Sequence, residues 1–173
     1  MKKFLFTALL VCGFVSFSQA QGTGFNLGAY LGFPASGSDY TSFSIGLDVN
    51  YLFEINEKFS VGPATGFGHS FGKDYYGSKQ DFQYIPIAGA GRFNINEKMA
   101  AGIDAGYAVG ISDNNDGGFY FRPIFGYNIT EMIQLNASYI GIALGNNRYY
   151  NGSYYYSYGS TFGIVALGAT FNL

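Results

Sequence analysis

From Met99 to Ser112 the odd positions read Met, Ala, Ile, Ala, Tyr, Val, Ile, and the even positions read Ala, Gly, Asp, Gly, Ala, Gly, Ser. From Phe59 to Gly68 the odd positions are Phe59, Val61, Pro63, Thr65 and Phe67, and the even ones are Ser60, Gly62, Ala64, Gly66 and Gly68. One face is large and apolar, the other small or polar. Period two sustained over about ten residues predicts β-strands. A strand of about 9–11 residues is also long enough to cross a bilayer at a strong tilt. Eight such segments follow one another, at roughly 25–34, 42–54, 58–71, 82–95, 98–111, 118–129, 133–145 and 161–173.

The connections alternate in kind. Three are tight, centred on Asn56-Glu57, Asn96-Glu97 and Thr130-Glu131. Four are longer and polar or Tyr-rich: 35–41, 72–81, 112–117 and 146–160. Short and long connections in alternation predict an all-β, eight-stranded antiparallel up-and-down transmembrane barrel, with short periplasmic turns and longer external loops. A phrase recurs at the short turns: "FEINEKF" at 53–59, "FNINEKM" at 93–99 and "YNITEMI" at 127–133, and the chain closes on "FNL". Strands two, four, six and eight therefore end alike, and Phe53, Phe93, Tyr127 and Phe171 are expected to form a periplasmic aromatic girdle.

The first twenty residues read as an address. Lys2 and Lys3 precede an apolar stretch, Phe4 to Val15, that is too short to span a bilayer. Ser18-Gln19-Ala20 offers small residues before a cleavage site, so residues 1–20 are expected to be a signal peptide and 21–173 one barrel domain. A lipoprotein signal at Cys12 is the alternative, but Val11 stands where a small residue is wanted. Cys12 is the only cysteine, so residues 21–173 carry no disulfide framework.

Charge sharpens the picture. Charged residues are 12% of the chain, against roughly 25% in ordinary soluble domains. Residues 21–173 hold seven Lys/Arg and eleven Asp/Glu, a net charge of −4, with no basic patch for nucleic acid. Asp48, Arg92, Asp104 and Arg122 lie inside strands, all on the small-residue face. A lipid-facing Arg near the bilayer midplane costs about 2–4 kcal/mol, so the four are expected to point inward and pair as a lumen cluster. The rival soluble, lipocalin-like carrier needs a charged outer face, and Gly, Ala and Ser make a poor one.

The signal peptide, the eight alternating strands, the short turns and the final "GATFNL" together resemble the small bacterial outer-membrane β-barrel proteins of the OmpX/OmpA-barrel type. Gly168, Phe171 and Leu173 are similar to the terminal signal that the barrel-assembly machinery reads in that family, although many members carry Phe where Leu173 stands. The resemblance implies an outer-membrane location, lipid and the assembly machinery as partners, a monomer, and no cofactor.

Some eight-stranded barrels modify lipids, which leaves an enzyme as the alternative to a structural or surface-interaction role. The only histidine, His69, is followed by Ser70, but neighbours on a strand point to opposite faces, so a catalytic pair needs groups from another strand. "SDNNDGG" at 112–118 resembles a calcium loop, yet Ile124 occupies the position of its final Glu, and a Gly/Asn turn is the simpler reading; no metal site is expected. The last loop, "NNRYYNGSYYYSYGS", holds Tyr149, Tyr150, Tyr154, Tyr155, Tyr156 and Tyr158 among Gly, Ser and Asn. Binding loops use this chemistry, so it is the candidate contact for an extracellular glycan or protein. Strands continuing above the membrane, with Tyr as an outer girdle, are the alternative.

Overall fold

The computed structural model describes residues 24–36, 41–75, 78–79, 81–112, 116–151 and 154–173. The expected signal peptide lies outside the described residues, as does the centre of the 112–118 loop. Eight long strands close into an antiparallel barrel: β1 (Gly24–Ser36), β2 (Thr41–Asn56), β3 (Phe59–Gly72), β6 (Phe82–Asn94), β7 (Met99–Gly110), β8 (Gly118–Asn128), β9 (Ile133–Asn151) and β10 (Tyr154–Asn172). Each pairs with its neighbours in chain order, and β10 closes on β1 through a ladder from Asn26↔Asn172 to Ser36↔Gly163. The expected 72–81 loop carries a two-residue ladder of its own, β4 (Asp74–Tyr75) with β5 (Ser78–Lys79). Closure leaves no sheet edge inside the barrel wall, the condition for β-structure in lipid.

The alternation works as the sequence implies. Leu31, Leu47, Ile87, Ile103 and Leu167 point outward and are 46–64% exposed. On β3 the outward rings Phe59 and Phe71 stand twelve residues apart, about 28 Å along the axis at a ~45° tilt. That height matches the ~25 Å apolar band of a membrane barrel. Phe53, Phe93, Tyr127 and Phe171 are all outward and about half exposed at the turn end. Inside, large side chains lie flat across glycines of the neighbouring strand. A Cβ on Gly46 would meet the Tyr30 ring at 2.3 Å, and one on Gly68 would meet Tyr84 at 2.3 Å. The small residues of the inner face are thus the seats of the large ones.

The recurring phrase has a local cause. Asn56 Oδ1 accepts hydrogen bonds from the Lys58 and Phe59 amides, at 3.0 Å each. Asn96 Oδ1 does the same for Lys98 and Met99, and Thr130 Oγ1 for Met132 and Ile133. Each turn is a side chain mimicking a backbone turn, which short Asn and Thr side chains do well. The second position of the phrase, Asn in three of its four occurrences, staples the rim: the Asn94, Asn128 and Asn172 amides donate to the carbonyls of Lys58, Lys98 and Met132 in the preceding turn, at 2.7–2.9 Å. Asn128 and Asn172 add a side-chain bond to the Glu97 and Glu131 carbonyls.

At 146–160 the structure decides between the loop and the continuing strands. This segment is not a loop: β9 and β10 stay paired to Asn151↔Tyr154. The ladder of β9 with β8 ends at Leu144↔Gly118, and that of β10 with β1 at Gly163↔Ser36. The hairpin therefore rises about seven residues, or roughly 20 Å, beyond both neighbours. Of the two readings the sequence offers, strands continuing above the membrane is the one the ladder follows: Ser, Asn and Gly are turn formers, but six tyrosines favour strand.

Candidate functional site

The lumen is divided along its axis. At the turn end it is lined by Asn26, Asn50, Asn94, Asn136, Thr170 and Asn172, around a small cavity continuous with solvent. Asn26 donates to Asn50 Oδ1 at 2.9 Å, Asn136 to Thr170 Oγ1 at 3.0 Å, and Gln134 to Asn128 Oδ1 at 2.8 Å. At mid-height come the four strand charges. The structure brings them together as two separate ion pairs, Arg92 with Asp104 at 2.6 Å and Arg122 with Asp48 at 2.7 Å. Arg122 is 1% exposed and also donates from Nε to Ser138 Oγ at 3.2 Å. The inward position of Asp48 rests on Gly28, where a Cβ would stand 2.3 Å from the carboxylate. Two buried pairs with added hydrogen bonds neutralise what would otherwise be a heavy desolvation cost.

Above the charges the character changes. Tyr30 and Tyr84 share a hydroxyl–hydroxyl bond of 2.9 Å, and the Arg122 guanidinium sits 5.1 Å from the centre of the Tyr30 ring. Tyr120 joins them, and beyond lie Ile140, Ile142, Phe162 and Ile164, with Phe82 stacked on Phe162 at 4.3 Å. The alternation implies a lumen face mostly of Gly, Ala and Ser; its loop-side half is an apolar plug. A signal was available: from Phe162 to Leu167 both parities carry apolar residues, as happens where both faces of a strand are covered. A packed plug above a polar half leaves no open pore among the described residues.

His69 has outward parity at the loop end but is half-buried there. Its Nδ1 lies 2.9 Å from the Gln83 carboxamide nitrogen and its Nε2 3.4 Å from Asp81. Asp81 also accepts the Gly72 amide at 2.9 Å, so it ties together the two ends of the 73–81 connection. Ser70 points inward and shares a 2.7 Å bond with Ser44. Nδ1 of His69 is thus engaged by Gln83, Nε2 has no hydrogen-bond partner among the described residues, and the neighbouring hydroxyl is on the other side of the wall. Among the described residues no three His, Cys, Asp or Glu side chains are grouped to hold a metal.

Gly168 faces inward on β10, while Phe171 and Leu173 face outward at the turn end, where the Leu173 amide donates to the Phe25 carbonyl at 2.9 Å. The backbone of Tyr149, Tyr150, Tyr154, Tyr155, Tyr156 and Tyr158 is placed by the ladder, with Tyr150 opposite Tyr155 and Tyr149 opposite Tyr156. Their side chains lie outside the described residues.

An eight-stranded closed meander, apolar outside and with paired charges within, defines the small outer-membrane type of β-barrel. Known structures share that fold. Neisserial surface protein A matches with 14% identity over 87% of this chain and 98% of its own, at a TM-score of 0.52. The de novo designed TMB2.3 matches with 12% identity over 90% and 98%, at 0.51. The outer membrane protein Ail of Yersinia pestis matches with 18% identity over 86% and 99%, at 0.49. No protein-family model and no curated protein sequence matches the chain.

Proposed function

We propose that this chain is a non-enzymatic outer-membrane protein, a closed barrel that is structural or makes surface contacts through its Tyr-rich hairpin. The observation that carries the reading is the β9–β10 ladder, which continues to Asn151↔Tyr154 after both neighbouring strands have ended. Among the described residues the lumen is plugged, so an element standing above the rim is where the molecule meets its surroundings. Tyr supplies rigid amphipathic contact area, and Asn, Ser and Gly supply adaptable hydrogen bonding; a glycan or protein surface suits both. Residues 145–160 carry one formal charge, Arg148, so the contact is not driven by long-range attraction.

Outer-membrane placement follows from the apolar belt, and the expected signal peptide and terminal strand supply a route. Gly168, Phe171 and Leu173 are the residues proposed for recognition by the barrel-assembly machinery. The test is a barrel with residues 146–158 replaced by a four-residue turn. It should insert and fold as before but lose binding of cells to glycan arrays or host-cell surfaces. Unchanged binding would remove the hairpin from the proposal. His69→Ala should leave the lipid profile of the membrane unaltered by mass spectrometry; a changed profile would favour the lipid-modifying enzyme instead.

A further inference from the structure

The β9–β10 ladder changes register once on its way out of the wall. Up to Ser160↔Leu144 the two strands pair residue for residue, and Ile140, Ile142, Leu144, Phe162 and Ile164 stand on the lumen side, in the plug or against it. The next pair is Tyr158↔Asn147, so β9 advances three residues where β10 advances two. The extra residue makes a β-bulge, Gly145-Asn146 opposite Gly159. Successive residues of a strand lie on opposite faces. One extra residue therefore exchanges the two faces of β9 above it, while those of β10 continue unchanged.

The exchange sorts the hairpin. Asn147, Tyr149 and Asn151 come to share the lumen-side face with Tyr158, Tyr156 and Tyr154, their partners in the ladder. Arg148, Tyr150, Tyr155 and Ser157 take the opposite face. Without the bulge Arg148 would stand opposite Tyr156, on the lumen side. The bulge thus takes the one formal charge of residues 145–160 off that face and gathers four of the six tyrosines on it. Bulges are over-represented beside functional sites, where they redirect a strand in this way.

The composition of the face defines its partner. Residues 145–160 are Gly, Asn, Ser, Tyr and Arg148, with no aliphatic residue and no Asp or Glu. Tyr combines an aromatic ring with a hydroxyl, and Asn brings two donors and an acceptor site. A sugar ring presents apolar C–H faces and a rim of hydroxyls, so it needs a flat aromatic partner and a hydrogen-bonding one at each step. Tyr and Asn in alternation supply both without a charge.

We infer that the lumen-side face of the hairpin, Asn147, Tyr149, Asn151, Tyr154, Tyr156 and Tyr158, is a binding surface for uncharged linear oligosaccharide. The inference rests on the hairpin contact proposed above and narrows it to one face and one ligand chemistry.

The test uses the full barrel in lipid nanodiscs and a panel of uncharged linear hexasaccharides of glucose, mannose or galactose. An oligogalacturonate of the same length is the charged control. Tyr154→Thr with Tyr156→Thr alters the lumen-side face, and Tyr150→Thr with Tyr155→Thr the opposite one; Thr keeps strand propensity. At least one uncharged sugar should bind saturably. The first pair of substitutions should weaken that binding roughly tenfold, the second by no more than about twofold. Amide exchange over residues 147–158 checks the ladder in both variants, and Leu at the same positions replaces Thr should the ladder loosen. Equal losses from the two faces would overturn the face assignment, while the hairpin contact would stand if the barrel lacking 146–158 also fails to bind. Binding to no sugar of the panel, or tighter binding of the galacturonate, would overturn the ligand class. Sugar binding retained by the barrel lacking 146–158 would sink the hairpin contact itself.

Discussion

The two ends of this barrel solve the same problem with different chemistry. At the turn end every descending strand finishes in the same phrase, each turn is closed by an Asn or Thr side chain, and the lumen is polar and hydrogen-bonded. At the loop end the connections differ from one another, one hairpin outgrows the wall, and the lumen is filled by aromatic and branched side chains. Sealing is thus separated from solvation along one axis. The paired charges sit at the boundary, where Arg122 reaches Asp48 on one side and the Tyr30 ring on the other. The difference teaches that an even outer face hides an uneven inner one, because lipid demands uniformity along the belt while the lumen needs only to be filled.

Breaking the boundary should have the largest effect. Arg122→Leu leaves Asp48 buried without its partner, and removal of one member of a buried pair costs about 3–5 kcal/mol. Unfolding by urea in detergent should register that loss, and Arg122→Leu combined with Asp48→Leu should recover most of it. An unchanged unfolding midpoint for the single variant would remove the ion pair from the account.

Seating the plug comes next. Gly68→Ala puts a Cβ 2.3 Å from the Tyr84 ring, and Tyr84 is almost fully buried among Tyr30 and Tyr120. Overpacking of this kind costs about 1–3 kcal/mol. Gly89→Ala is the control, since its Cβ would face outward with nothing nearer than a carbonyl oxygen at 4.0 Å. Urea midpoints that shift equally for both would contradict the seating of ring on glycine.

The turn end should respond more weakly. Asn96→Ala removes the acceptor for two amides of an exposed turn, worth about 1 kcal/mol in all. Hydrogen exchange at Lys98 and Met99 should accelerate while the amides of the plug strands stay protected. Accelerated exchange throughout the barrel would mean that the rim is not an independent unit.

What was legible in the sequence follows the same division. Period two gave the wall, its parity placed Asp48, Arg92, Asp104 and Arg122 inside, and the repeated phrase marked the rim. Partner choice was not legible: the strands are tilted, so Arg122 pairs with Asp48 across the lumen rather than with Asp104, its neighbour in the β7–β8 ladder. Nor was the plug, because Ile140, Ile142, Phe162 and Ile164 belong to strands apolar at both parities, where alternation carries no sign of which face is which. The hairpin at 146–160 was legible only as two open readings, a Tyr-rich loop or strands continuing above the membrane, because its Asn, Ser and Gly are turn formers and its tyrosines strand formers; the ladder selects the second. The staples made by Asn94, Asn128 and Asn172 recur visibly in the sequence, but only the register of neighbouring strands gives them a partner.

The central claim is a closed barrel whose apolar face meets lipid. Native membranes should be fractionated and the protein run on SDS gels with and without boiling. The account predicts that the protein is found in the outer membrane and that its mobility shifts on boiling, because a closed ladder resists detergent until heated. A protein in the soluble fraction with no shift would mean that the faces are reversed and that the large apolar residues line a cavity instead.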